Sequence, residues 1–141
     1  MTRINIVSVE DISNKHLMAE YRELPRIFTT LRQHIDKGRP LDGIYIPNQY
    51  VLGKGHMTFF YNKLAYLRIR FSQIRDELIK RGYEIDNSLF TKIYHDMWDL
   101  IEFTNDFQEV YHPTHKDKYL NWSRMCKRSG MQKVLEELEA E

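Results

Sequence analysis

The chain opens Met1-Thr2-Arg3, with a small residue second, so removal of Met1 frees the α-amine of Thr2. An α-amine has a pKa of roughly 7.7–8.0, against about 10.4 for lysine, so near neutrality its nucleophilic fraction is about two orders of magnitude larger. Such an amine attacks an electrophilic sugar carbon without heavy tuning. Further along, Glu23 stands beside Arg22 and close to Arg26. A carboxylate there can orient the attack, stabilise positive charge on a ring-opened sugar, or move protons in an elimination. Arg3, Arg22 and Arg26 can hold flanking phosphates by bidentate contacts. These are the parts needed for Schiff-base chemistry on a sugar in a phosphate backbone. A plainer reading stands beside it. Glu–Arg pairs on helices are usually solvated ion pairs, and Thr2 serves no chemistry in most chains that begin Met-Thr.

The elements that must position these residues follow from periodicity. Residues 4–9 read as a short extended arm, and Asp11 or Ser13 can cap the helix after it. Apolar positions from Ile12 through Leu17, Leu24, Ile27 or Phe28, and Leu31 to Ile35 recur at helical spacing. Pro25 lies inside that pattern and predicts a kink near Arg22. On this helix Arg22 and Arg26 are neighbours, as are Glu23 and Arg26, so one patch presents carboxylate and guanidinium. Gly38 ends the helix. Residues 39–57 read as a long connection. Within it Gly53-Lys54-Gly55-His56 has the glycines of a phosphate cradle but lacks the Lys-Ser/Thr ending of a P-loop.

Phe60, Leu64, Leu67, Phe71, Ile74 and Leu78 form the clearest helical stripe, closed by Lys80-Arg81-Gly82. Lys63, Arg68, Arg70 and Arg75 fall on its other faces. A third helix is predicted from about Ser88 to Phe103, with Asp96, Asp99 and Glu102 making one side acidic. A fourth begins near Pro113-Thr114, where Thr114 with Asp117 resembles a capping box. Tyr119, Trp122 and Cys126 are expected to face in, and Lys118, Arg124, Lys127 and Arg128 out. Met131 to Leu138 suggest a last short helix. The sum is a mainly α, single compact domain (1–141) of three to five helices with long connecting loops.

Composition narrows the classes. With 141 residues, 42% hydrophobic and 29% charged, the chain has the make-up of one soluble globular domain. Net charge is +1, but residues 54–81 carry +5, 82–117 carry −6 and 118–133 carry +5. Two basic blocks around an acidic one fit a phosphate-binding face with an acidic back, or solvated helix faces paired with one another. A lone cysteine, Cys126, excludes an intramolecular disulfide and reads as structural. No run reaches a membrane span, and polar residues interrupt any signal-peptide core, so a cytoplasmic protein without membrane association is expected. The His112/His115 pair straddles a loop and a helix start, and no metal site is expected.

One resemblance covers most of residues 1–85. Met1-Thr2-Arg3-Ile4-Asn5, the block His16-Leu17-Met18-Ala19-Glu20-Tyr21-Arg22-Glu23-Leu24-Pro25-Arg26, the block from Leu52 to Leu64, and Lys80-Arg81-Gly82-Tyr83 resemble the pyrimidine-dimer DNA glycosylase/AP lyases of the phage endonuclease V type. The resemblance implies a compact helical domain that needs neither cofactor nor metal. It implies Thr2 as the nucleophile at C1′ of a damaged nucleotide, Glu23 as the essential carboxylate, and strand nicking by β-elimination. Arg3, His16, Arg22 and Arg26 would line the DNA-contacting site. Tyr111-His112-Pro113 is similar to a Tyr-x-Pro element of the family. Arg124 and Arg128 then stand at the family's distances for DNA-backbone contacts. The implied partner is double-stranded DNA with damaged bases or abasic sites, bound by a monomer. Residues 86–141 diverge. The family's aromatic, basic C-terminal segment is replaced by an acidic one, which leaves open another damaged or modified base as substrate. A non-catalytic DNA-binding or protein-interaction domain that keeps the fold is also left open.

Overall fold

The structure, a computed structural model, describes residues 3–129, the side chains of 127–129 excepted. The expectations for Thr2, for the Arg128 side chain and for a helix over 131–138 lie outside the described residues. Among the described residues the regular structure is all helical: α1 (Asn14–Glu23), α2 (Pro25–Asp36), α3 (His56–Phe59), α4 (Leu64–Lys80), α5 (Asn87–Phe103) and α6 (His115–Ser129). The mainly α expectation therefore holds.

α1 begins where the Ser13 side chain accepts the His16 amide, so of the two predicted caps Ser13 is the one used. The helix stops at Glu23, and Pro25 takes the first position of α2. Proline supplies no N–H and its ring crowds the preceding turn, so the helical path breaks at Leu24 instead of bending through. The expected kink is thus a junction between two helices. Leu24 keeps right-handed helical dihedrals (φ −55°, ψ −43°) and is fully buried. That anchors the junction and leaves Arg22 and Arg26 exposed on either side of it.

α4 is the central column. Its predicted stripe, with Phe60 just ahead of it, is buried throughout. Each such side chain contributes about 1.5–3 kcal/mol as an upper figure. A stacked ladder runs across it, Tyr21 on Phe71 (centroids 5.0 Å), Phe71 on Phe90 (5.2 Å) and Phe90 on Tyr94 (5.3 Å), tying α1, α4 and α5 together. α5 starts one residue before its predicted origin, capped by Asp86, and Asp96, Asp99 and Glu102 face solvent as expected. The Thr114/Asp117 box closes reciprocally. The Asp117 amide donates to Thr114 Oγ1 (3.1 Å) and the Thr114 amide to Asp117 Oδ2 (3.2 Å).

Residues 4–8 form no helix and pair with no strand, and Ile4, Asn5, Ile6 and Val7 are all shielded from solvent. Buried peptide groups must find partners, and here side chains from four other segments supply them.

Candidate active site

The arm is held atom by atom. The Ile4 amide donates to His56 Nε2 (2.8 Å), and Tyr50 Oη donates to the Ile4 carbonyl (2.9 Å). The Ile6 and Val7 amides both donate to Asn121 Oδ1 (2.7 and 3.3 Å). Arg70 Nη1 donates to the Val7 carbonyl (2.8 Å). Side chains alternate along the arm: Ile4 and Ile6 enter the core while Arg3 and Asn5 line a cavity of about 270 Å³. His16, Glu20 and Glu23 complete one wall. Their spacing of 4 and 3 puts them on one face of α1. Arg124 from α6 reaches the same cavity. At its mouth the Arg3 amide donates to Glu23 Oε2 (3.2 Å).

Beneath the cavity lies a polar floor. Glu20 is 1% exposed and takes Arg70 Nε on Oε2 and Arg70 Nη2 on Oε1 (3.1 Å). Asn5 Nδ2 also donates to Glu20 Oε1 (2.8 Å). Burial alone would lower the Arg70 pKa, but the Glu20 carboxylate outweighs it and the net shift is upward. The pair is therefore a fixed ion pair, and Glu20 is occupied in structure while Glu23 faces the cavity. Asn5 Oδ1 in turn accepts from Asn121 Nδ2 (2.8 Å) and from Arg124 Nη2.

His56 sits at the other end of the arm. Its Nε2 accepts the Ile4 amide, so the ring proton lies on Nδ1 and donates to the Val51 carbonyl (2.8 Å). Burial lowers its pKa from 6.5 to about 4; the Val51 hydrogen bond opposes the shift, and nearby Arg124 and Arg3 add to it. A protonated ring would aim an N–H at the Ile4 N–H. A histidine with its folded pKa below the unfolded one contributes stability above about pH 6.5 and loses it as pH falls toward 4. The loss across that window is about 3 kcal/mol. The stability gap between wild type and His56→Gln should therefore shift by about this much between pH 7 and 4 in urea titrations. A gap that stays constant would remove the neutral-His56 account. Gly55 sets up this histidine. Its φ is +91°, and a Cβ there would come within 3.0 Å of Pro47 Cγ. The glycines of 53–56 thus serve a turn that delivers His56 inward, not an anion cradle.

The expected site residues divide. Arg3, His16 and Glu23 meet at the cavity, while Arg22 and Arg26 are exposed and do not line it. Arg124 is a correction. It was expected to face outward, but it is 8% exposed and points at Asn5. The inward stripe of α6 is Asp117, Asn121, Arg124 and Met125, whereas Tyr119 and Trp122 are only half-buried. Each inward polar residue has its own partner: Asn121 takes the arm amides, Arg124 the Asn5 side chain, and Asp117 the Tyr111 hydroxyl and Thr114 amide. Cys126 is buried with the core, as expected.

The 54–81 basic block is also corrected as a phosphate face. Arg70 is internal. Lys63 is buried, donating to the Phe59 carbonyl (2.9 Å) and Asn62 Oδ1 (2.8 Å). Arg68 lies over Tyr94 and Arg75 over Phe90, while Arg81 bonds Glu77 and Asn14. Sequence reading missed Asn5, Glu20, Tyr50, His56, Arg70 and Asn121 as supports of the site. The recurrence of Asp117, Asn121 and Arg124 at spacings of 4 and 3 was the signal available for α6.

No helix among the described residues is long and apolar enough to cross a membrane. Among the described residues, those that come within metal-ligating reach of one another, His95, Asp96 and Asp99, are all exposed on α5. The model of a family described as pyrimidine dimer DNA glycosylase matches residues 1–91, from the arm through α4 into the first turn of α5, and the chain belongs to that family of DNA repair glycosylases.

Proposed function

We propose that the protein excises a damaged base from duplex DNA, an ultraviolet-induced pyrimidine dimer being the substrate its family indicates, and then nicks the strand. The Thr2 amine attacks C1′ of the nucleotide, the C1′–N glycosidic bond breaks, and the base leaves with a proton. Loss of the ring oxygen from C1′ gives an imine between Thr2 and the opened sugar. Removal of a C2′ proton then expels the 3′ phosphate by β-elimination. Glu23 stabilises the cationic imine and relays these protons. Arg3 and Arg124 bind the phosphates beside the opened sugar, Arg22 and Arg26 the neighbouring ones, and His16 borders the sugar. Arg128 extends the phosphate contacts along α6.

The observation that carries this reading is the 3.2 Å hydrogen bond from the Arg3 amide to Glu23. Arg3 is joined directly to Thr2, so the chain enters the site beside the one cavity carboxylate not tied into the buried Glu20–Arg70 pair. The cavity is smaller than the roughly 300–1,000 Å³ of sites that enclose drug-sized ligands. It suits one sugar of a strand, with the duplex lying across the exposed arginines. A base must leave the stack for such chemistry.

Borohydride reduction is expected to link the protein covalently to abasic and ultraviolet-irradiated duplexes when intact mass shows Thr2 as the first residue. The same chain with Met1 retained carries an amide at Thr2 and is expected to give no adduct. Absence of both adduct and nick from the Thr2-terminated protein would sink the proposal.

A further inference from the structure

Asn121 lies beyond the 91 residues that match the family and has no exposed surface. One side chain meets the arm at three points. Its Oδ1 accepts two consecutive amides, Ile6 at 2.7 Å and Val7 at 3.3 Å, and its Nδ2 donates to Asn5 Oδ1 at 2.8 Å. Asn5 also faces the cavity and holds Glu20 and Arg124. An unpaired extended segment has no ladder to fix its register. A slip by one residue moves the chain about 3.3 Å and exchanges inward for outward side chains. Such a slip would put Ile4 in the cavity and Arg3 in the core. His56 and Tyr50 grip the backbone of Ile4 alone. Asn121 is the group that reads backbone and side chain at once, because it recognises Asn5 as well as the amides beyond it.

We infer that Asn121 is a positioning residue for the reaction, fixing the register of the arm and hence the reach of its amine into the cavity. The inference rests on the Thr2 reading above. Near-attack geometry requires reacting atoms about 3–3.5 Å apart, so a displacement of even 1 Å at the amine costs on the order of 100-fold in rate. Asn121 is fully buried and Arg22 and Arg26 stand off the arm, so a loosened arm costs the chemical step more than it costs DNA binding.

The test separates those two quantities. For Asn121→Leu, the single-turnover rate of borohydride trapping at saturating abasic duplex is expected to fall at least about 10-fold. Duplex affinity should stay within about threefold. Asn121→Asp keeps the acceptor for Ile6 and Val7 but loses the Nδ2 donor to Asn5, and its rate is expected to fall between those of wild type and Asn121→Leu. Should the leucine variant fail to fold, Asn121→Ser replaces it. The serine hydroxyl is too short to reach the arm, and the same split is expected. Hydrogen exchange at the Ile6 and Val7 amides should accelerate in the slow variants. If wild type traps and a folded Leu or Ser variant traps as fast, or slows only in step with lost affinity, the inference fails and the Thr2 reading stands. If wild type with a confirmed Thr2 terminus does not trap, the Thr2 reading fails and this inference with it.

Discussion

Glu23→Gln is expected to lower strand cleavage by about 10²–10⁴-fold, the range for loss of a positioned proton-transfer group. The amide has the same shape and still accepts the Arg3 N–H, which reaches Glu23 Oε2 at 3.2 Å in wild type. Arm docking should survive, and thermal stability should change little, because Glu23 is only half-buried at the end of α1. What disappears is the negative charge beside a cationic imine and a base for the C2′ proton. Removing that charge also relieves repulsion toward phosphate, so duplex affinity should hold or rise. A drop in cleavage with unchanged or tighter binding is the signature. Cleavage within threefold of wild type would remove Glu23 from the chemistry, and a parallel loss of affinity would make it a binding residue instead.

Arg70→Leu carries the largest expected loss of stability, about 3–5 kcal/mol, because it leaves the Glu20 carboxylate buried without its counter-ion. Side-chain exposure in this pair is 4% for Arg70 and 0% for Glu20. Total stabilities are roughly 5–15 kcal/mol, so the change consumes much of the reserve. The Val7 carbonyl also loses its Arg70 donor. The double variant Glu20→Leu/Arg70→Leu removes the orphaned charge and should recover part of the loss. Asn5 Nδ2 and the Val7 carbonyl would still lack partners, at about 1–3 kcal/mol for each buried group. Urea unfolding of the four proteins measures the coupling. A cost below about 1 kcal/mol for Arg70→Leu would mean that water reaches Glu20 and that the pair is not the buried floor described.

The helices were legible wherever burial is apolar. In α4 the stripe from Leu64 to Leu78 repeats at 3 and 4 because the neighbours it meets are themselves hydrocarbon. α5 was readable for the same reason, and its acidic outer side followed. Pro25 was visible as an interruption. Whether it bends one helix or begins another depends on how tightly Leu24 is packed, which no local pattern reports. α6 was misread because periodicity scored aromatics as inward. Its inner stripe mixes Met125 with Asp117, Asn121 and Arg124, and Asn121 is explained by an arm more than a hundred residues away that brings its own unpaired amides. The proposed site residues of the first 26 positions were legible as a chemical type and, through the resemblance, as a set. Their supports were not. Asn5, Tyr50, His56 and Asn121 are ordinary polar residues whose significance appears only when the arm is seen to lack a strand partner. Charge blocks misled for a related reason. The arginines of α4 are consumed by Glu20, Tyr94 and Phe90, so a count along the chain overstates what remains for a phosphate backbone.

The threaded arm also imposes an order on biosynthesis. Its amides at Ile6 and Val7 meet Asn121 across 115 and 114 positions of sequence. The ribosome emits residues from the amino end at about 5–20 per second, so the first segment made spends several seconds before its receptor exists. Closing so long a loop is entropically costly and comes after local helix formation. The arm is therefore the first part translated and the last to be seated. A nascent chain stalled before α6 can hold a formed α4 column while its arm still lies in solvent.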